Sequence, residues 1–362
     1  MDDKMLGRFD DRGLDGASCS RTLRRMTRPA PSAQQQLDFL AKVERLLAEG
    51  RFTSTYKFAL LIALTNIAVE QGDDSGAPLE VDLDDVARQY LALYWNMARP
   101  YPRVNAILKQ NREAAKPSRM ITLLRDAAAE APSSYRRLQA YRVANDSLVR
   151  ETRKTLAKDV LYRLQAIGTN GKDGERFLYD HPETAAGCAT LKHITLKPGV
   201  AACLRRLRGV IVAIVQARWA LWVRESNDQL GADRELEGFL FGTDRTAVSL
   251  YAARYYDLQE GRCFYTGDKL AAPKAGEVDH FIPWARYPFD SPFNLVLASR
   301  KVNNSLRDSL KPAEWRTRWL ARNDEFASVL TAPAPNGFGA SHEDAATARA
   351  ISDWLYRSAQ AG

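Results

Sequence analysis

From Ala33 to Glu49 apolar residues return at helical spacing, Leu37, Leu40, Val43, Leu46 and Leu47 with Phe39 beside them, and Gly50 ends the run. The next segment, capped by Thr53 or Ser54 and running to Val69, is apolar on nearly every side, which predicts a helix at the centre of a core. Gln71 to Pro78 reads as a loop, and a third helix is predicted from about Asp84 to Met97, with Val86, Tyr90, Leu93 and Met97 on one face and Pro100 and Pro102 stopping it. Further helical patterns surround Val104-Ile107-Leu108, Met120-Ile121-Leu124 and Leu148 to Leu164.

The pattern changes at Gly168-Thr-Asn-Gly171. After that turn, Arg176 to Tyr179 and Leu191 to Leu196 read as short strands, closed by Pro198-Gly199. A long helix should then run from Val200 to Ser226, with Ile211, Val215, Trp219 and Trp222 turned into the core. Asp244 can cap a helix to about Leu258, which places Arg245, Arg254, Tyr255 and Tyr256 near whatever follows. Pro312 opens a helix carrying Trp315, Trp319 and Phe326, and Ser341 with Asp344 resembles a capping box for a last helix to Ser358. The pattern therefore divides the chain into a tail over 1–33, expected to be disordered, and a helical regulatory or targeting domain over 34–240 with a strand-rich insertion near 172–198. A module over 241–331 and a linker with a terminal helix over 332–362 complete it.

Composition narrows the classes. At 362 residues, with 45% hydrophobic and 27% charged residues, the chain fits an ordinary soluble protein of two or three domains. The four cysteines, Cys19, Cys188, Cys203 and Cys263, lack paired spacing, so neither a disulfide framework nor a zinc site is implied, which suits a reducing cytoplasm. No signal-peptide pattern opens the chain, and its most apolar runs are too short to span a membrane. A net charge of +8 favours a polyanionic partner. The base-rich tract from Arg103 to Arg163 fits a phosphate-tracking face or the solvated side of amphipathic helices, and both readings stand.

One stretch carries candidate chemistry. Asp279-His280 lies in the apolar run Val278, Phe281, Ile282, Pro283 and Trp284; Asn294 follows fourteen residues after His280, opening Asn294-Leu-Val-Leu-Ala298; Asn303 follows nine later in Ser299-Arg-Lys-Val-Asn-Asn-Ser-Leu-Arg307. Order and spacing together resemble the HNH endonuclease family, over about residues 262–310. The implied fold is mainly α with a small α+β module: a helical N-terminal domain, then a C-terminal ββα-metal core packed with flanking helices.

The resemblance implies that His280 activates water, that Asp279 and Asn303 ligate Mg²⁺ (or Mn²⁺), and that Asn294, counted with His280 as catalytic, holds the loop. Asn304 is the alternative ligand by one residue. Alternating strand faces demand a bend or strand end at Asp279-His280, with which Pro283 is compatible. Arg300, Lys301 and Arg307 are the candidate phosphate contacts. Where many relatives hold a structural zinc with two Cys-x-x-Cys pairs, this chain has Cys263, Thr266, Ser299 and Val302, so no structural zinc is expected and the knuckle should be packed by Phe264, Tyr265 and Val302.

The resemblance thus points to metal-dependent hydrolysis of DNA, expected to be double-stranded, with nicking or weakly sequence-specific cleavage. Its expected setting is bacterial anti-phage defence or restriction, where further subunits could join. The competing readings are a non-catalytic nucleic-acid-binding or scaffold subunit on a decayed HNH fold, and an RNase using the same site.

Overall fold

The computed structural model describes residues 28–112, 119–130, 146–167, 175–231, 233–242, 251–289, 291–332 and 342–360. The expected tail through residue 27, the Gly168–Gly171 turn, the Asp244 cap with Arg245, the 333–337 linker and the Ser341 half of the capping box lie outside them.

Helix α1 (Ala33–Glu49) starts with a capping box: Ser32 Oγ accepts from the Gln35 N–H at 3.3 Å, and Gln35 Oε1 accepts from the Ser32 N–H at 2.8 Å. It buries Phe39, Val43, Leu46 and Leu47, whereas Leu37 is 60% exposed and does not join the core. Helix α2 (Tyr56–Gln71) is buried from Tyr56 to Val69, because its apolar residues occupy every face. Later elements pack around it.

Asp82 ends a strand and starts a helix at once. Strand β1 (Leu79–Asp82) has Val81 inward, and the Asp82 carboxylate then accepts from the Asp84 N–H at 2.7 Å to cap α3 (Leu83–Tyr94). β1 pairs antiparallel with β2 (His193–Leu196), Val81 opposite Ile194. The predicted strand over Arg176–Tyr179 does not form; Tyr179 makes a single bridge to Leu196, and β1, hidden in sequence by its length of four residues, takes the pairing edge. The helical pattern at Val104–Leu108 is a turn, with Asn105 at φ 49° and the Tyr101 N–H donating to Ala106 O at 2.8 Å. Helices α4 (Arg119–Glu130) and α5 (Asp146–Asp159) follow, α5 packing on α3.

The single helix expected over 200–226 is two, α6 (Val200–Arg206) and α7 (Arg208–Ser226), broken at Leu207, whose backbone lies outside the helical region at φ −95° and ψ 7°. Trp219 and Trp222 are core residues, as their spacing implies. The Arg205 guanidinium donates to Ala68 O at 3.0 Å and Val69 O at 2.5 Å, satisfying carbonyls at the C-terminal end of α2.

A second core starts where Val69 leaves the first. Helix α8 (Ala252–Leu258) leads into a two-stranded antiparallel sheet, β3 (Gly276–His280) and β4 (Leu295–Ser299), with Asp279 opposite Val296 and His280 opposite Leu295. Helix α9 (Arg300–Leu306) follows at once, giving a ββα order. Helices α10 (Ala313–Glu325), α11 (Ala327–Thr331) and α12 (His342–Gln360) join the same core; Trp319 of α10 stacks on Phe281 with ring centroids 4.6 Å apart. Helix α12 also packs on α2, and its Trp354 indole donates to Arg205 O at 3.1 Å, so the terminal helix touches both cores. The molecule is mostly helical, and among the described residues its sheets are these two.

Candidate active site

Strand β3 ends on His280, as Asp279 and His280 require if both are to reach one site. Residues 281–289 then form a loop, and Asn294, closing a short 3-10 turn over Pro292–Asn294, staples it. Its Oδ1 accepts from the Ile282 N–H at 2.7 Å; its Nδ2 donates to Ile282 O at 3.1 Å and Phe289 O at 2.8 Å. Asn294 has no exposed surface, and its amide is used within the loop.

Period two puts Glu277 and Asp279 on one face of β3. Tyr265 Oη donates to Asp279 Oδ2 at 2.6 Å, and the Lys311 ammonium lies 3.8 Å from the same oxygen. Burial pushes the Asp279 carboxyl above its ordinary range, opposed by Lys311, Tyr265 and the neighbouring His280. Burial also pulls the Lys311 amine down, against the pull of Asp279. The His280 ring is partly buried, 5.4 Å from that of Trp284, whose indole donates to Phe241 O at 3.4 Å.

Asn303 faces the same strand from α9, but its Nδ2 donates to Glu277 Oε2 at 2.9 Å. Arg300 Nε lies 3.6 Å from Glu277 Oε1, with its side chain 67% exposed. Glu277 therefore ties two sequence-predicted residues to β3, and no described contact joins Asn303 to Asp279 directly. Lys301 and Arg307 are exposed, Arg307 at φ 40° where α9 ends. Arg254 donates to Ala332 O at 2.8 Å, while the Tyr255 and Tyr256 hydroxyls donate to Pro292 O and Leu270 O at 2.5 and 3.1 Å. These three side chains brace the module.

The knuckle keeps its turn without four thiolates. Gly267, at φ 76°, donates its N–H to Cys263 O at 2.9 Å, and Cys263 Sγ accepts from the Ser299 N–H at 3.3 Å. Phe264 and Tyr265 are buried, with Val302 partly so. From α10, Arg318 donates to Tyr265 O at 3.1 Å and to Phe264 O; Arg322 donates to Leu295 O at 3.1 Å. Burial pushes Arg322 down to about 10. Two guanidinium forks thus tie the backbone carbonyls of the knuckle and β4 to α10.

Among the described residues no group of three His, Cys, Asp or Glu side chains could hold a metal ion. The oxygen donors on one strand face, Asp279 and Glu277 with the Asn303 side-chain oxygen nearby, nonetheless suit a hard divalent cation, which needs few protein ligands. The knuckle does not suit zinc.

Sequence reasoning missed Glu277, Tyr265 and Lys311. The two-residue offset from Asp279 was a usable signal for Glu277. Tyr265 and Lys311 had none, since only folding brings them to Asp279.

Residues 263–310 match the family model for HNH endonuclease, which bears out the resemblance drawn from the motif. That segment is of nuclease type and implies nucleic-acid binding. The chain belongs to the family described as a domain of unknown function (DUF8808), whose model matches residues 34–237, more than half of its length. No curated protein and no solved structure matches the chain. Among the described residues no helix is long and apolar enough to cross a membrane.

Proposed function

We propose that this protein is a metal-dependent endonuclease hydrolysing DNA phosphodiester bonds, with Asp279 and Asn303 as ligands of one Mg²⁺ or Mn²⁺ ion. His280 takes the proton from the attacking water as its oxygen bonds to phosphorus and the 3′-oxygen departs and takes a proton from solvent, leaving 5′-phosphate and 3′-hydroxyl ends. A divalent ion bound there supplies charge stabilisation for the phosphorane-like transition state. Asn294 fixes the loop that follows His280, and Arg300, Lys301 and Arg307 hold the phosphate backbone. One such site cuts one strand per event, so nicking is the expected outcome. The observation that carries this reading is the arrangement around β3: Asp279-His280 at the strand's end, the loop stapled by Asn294, and Asn303 facing the strand from α9.

By analogy with HNH modules fused to other domains, we assign the helical segment to targeting or restraint in a bacterial defence or restriction system. A second reading, a non-catalytic nucleic-acid-binding subunit, is favoured by one observation: Lys311 already balances part of the Asp279 charge. Purified protein incubated with supercoiled plasmid and Mg²⁺ or Mn²⁺ separates the two. Nicking abolished by EDTA and by His280→Ala is expected. Absence of cleavage by the wild type, with DNA binding retained, would favour the binding subunit, and cleavage confined to a parallel RNA substrate would make the enzyme an RNase.

A further inference from the structure

Lys311 lies outside the HNH motif and is one of the buried lysines among the described residues, its side chain 1% exposed. Its Nζ lies 3.8 Å from Asp279 Oδ2, donates to Arg307 O at 3.3 Å and sits 5.5 Å from the Tyr265 ring centroid. Its backbone is fixed from elsewhere: Tyr356 on α12 donates to Lys311 O at 2.7 Å, and Pro312 behind it starts α10. The ammonium therefore has little freedom to swing away. Tyr265 and Lys311 both act on Oδ2, leaving Oδ1 as the oxygen through which Asp279 can ligate without losing Tyr265.

A fixed monocation at this distance has two effects. It stabilises a buried carboxylate when no metal is bound, and it repels a divalent ion approaching the same carboxylate, strongly so where water is scarce. We infer that Lys311 is a resident counter-cation that keeps the Asp279 site poorly loaded with metal until a phosphodiester brings negative charge into the cleft. Metal and nucleic acid then bind together, and the nuclease idles when no substrate is present. This rests on the proposed metal role of Asp279.

The sign of one measurement tests it. Mn²⁺ binding to the full chain, without DNA, is followed by loss of the free-ion paramagnetic resonance signal for wild type, Lys311→Met, Lys311→Arg and Lys311→Met with Asp279→Asn. Removal of the charge should tighten Mn²⁺ binding at least tenfold, Lys311→Arg should stay near wild type, and Asp279→Asn should erase the gain. Mn²⁺ should also raise the Tm of Lys311→Met more than that of wild type. Lys311→Gln serves in the same assays if the Met variant does not fold. Equal or weaker binding by a folded charge-removing variant, with measurable binding by wild type, overturns this inference and leaves the nuclease reading standing. Failure of every form to bind Mn²⁺, with no nicking, overturns both.

Discussion

Asp279 and Glu70 are surrounded alike. Asp279 accepts from Tyr265 at 2.6 Å beside the Lys311 ammonium; Glu70 accepts from Tyr287, also at 2.6 Å, and from Gln89 at 3.0 Å, with the buried Arg208 close by. Their cations are used differently. Lys311 points its charge at the carboxylate, whereas Arg208 donates to Asn66 Oδ1 at 3.1 Å and Arg286 O at 3.0 Å and stacks 4.1 Å from the Tyr287 ring centroid. With its cation tied up elsewhere, Glu70 is pushed by burial to about 7, against the donors Tyr287 and Gln89.

Location explains the difference in use. Asp279 lies next to the end of β3, on the face of Glu277, which pairs with the exposed Arg300. Glu70 lies where α2 and α3 of the larger core meet the loop following His280, so its trio fastens that loop to the helical segment. A carboxylate, a tyrosine and a cation form the corner proposed as the metal site in one setting and a structural joint in the other. The orientation of the cation differs between them: Lys311 faces the carboxylate, and Arg208 donates elsewhere.

The largest test of that contrast is activity. Asp279→Asn should lower plasmid nicking by on the order of 10³-fold, while Glu70→Gln should stay near the wild-type rate, both read from initial rates with Mg²⁺. A loss as large in Glu70→Gln would make the joint part of the active site.

Stability comes next. Arg208→Ala leaves Arg286 O and Asn66 Oδ1 without their donor and removes the stack on Tyr287. It should destabilise the fold by about 3 kcal/mol, measured by urea unfolding. A change within about 0.5 kcal/mol would show that the joint holds nothing.

The smallest effect is in pH. The folded-state value of Glu70 lies above the usual carboxylate range, so the folded protein holds this proton more tightly than the unfolded chain does. Its contribution is complete below the ordinary value of about 4.3 and is lost as pH rises through about 7. Glu70→Gln should therefore be more stable than wild type by on the order of 2 kcal/mol at pH 8, the gap narrowing toward pH 5. A gap independent of pH would show that Glu70 is ionised throughout.

The residues along β3 and α9 were legible because motif spacing reports local geometry. Asp279-His280 ends a strand, Asn294 fits a polar amide into a loop, and Asn303 falls on the helix that follows. Glu277 was legible in principle through period two. The β1–β2 pair was not, because the two four-residue strands lie far apart in sequence and β1 merges into a helix cap at Asp82. The break at Leu207 was hidden too, since hydrophobic spacing on either side of it fits one continuous helix.

By itself, the sequence determined where apolar faces lie, that α2 must be enclosed, and which short stretch resembles a nuclease core, because periodicity and spacing follow from backbone geometry within one element. Tertiary structure alone decided that Lys311 and Tyr265 meet Asp279, that α10 arginines brace the knuckle where thiolates are missing, and that Arg208 and Glu70 fasten the loop after His280. Those contacts join residues from different elements. Their strength comes from desolvation at close range, which appears only once the elements have packed.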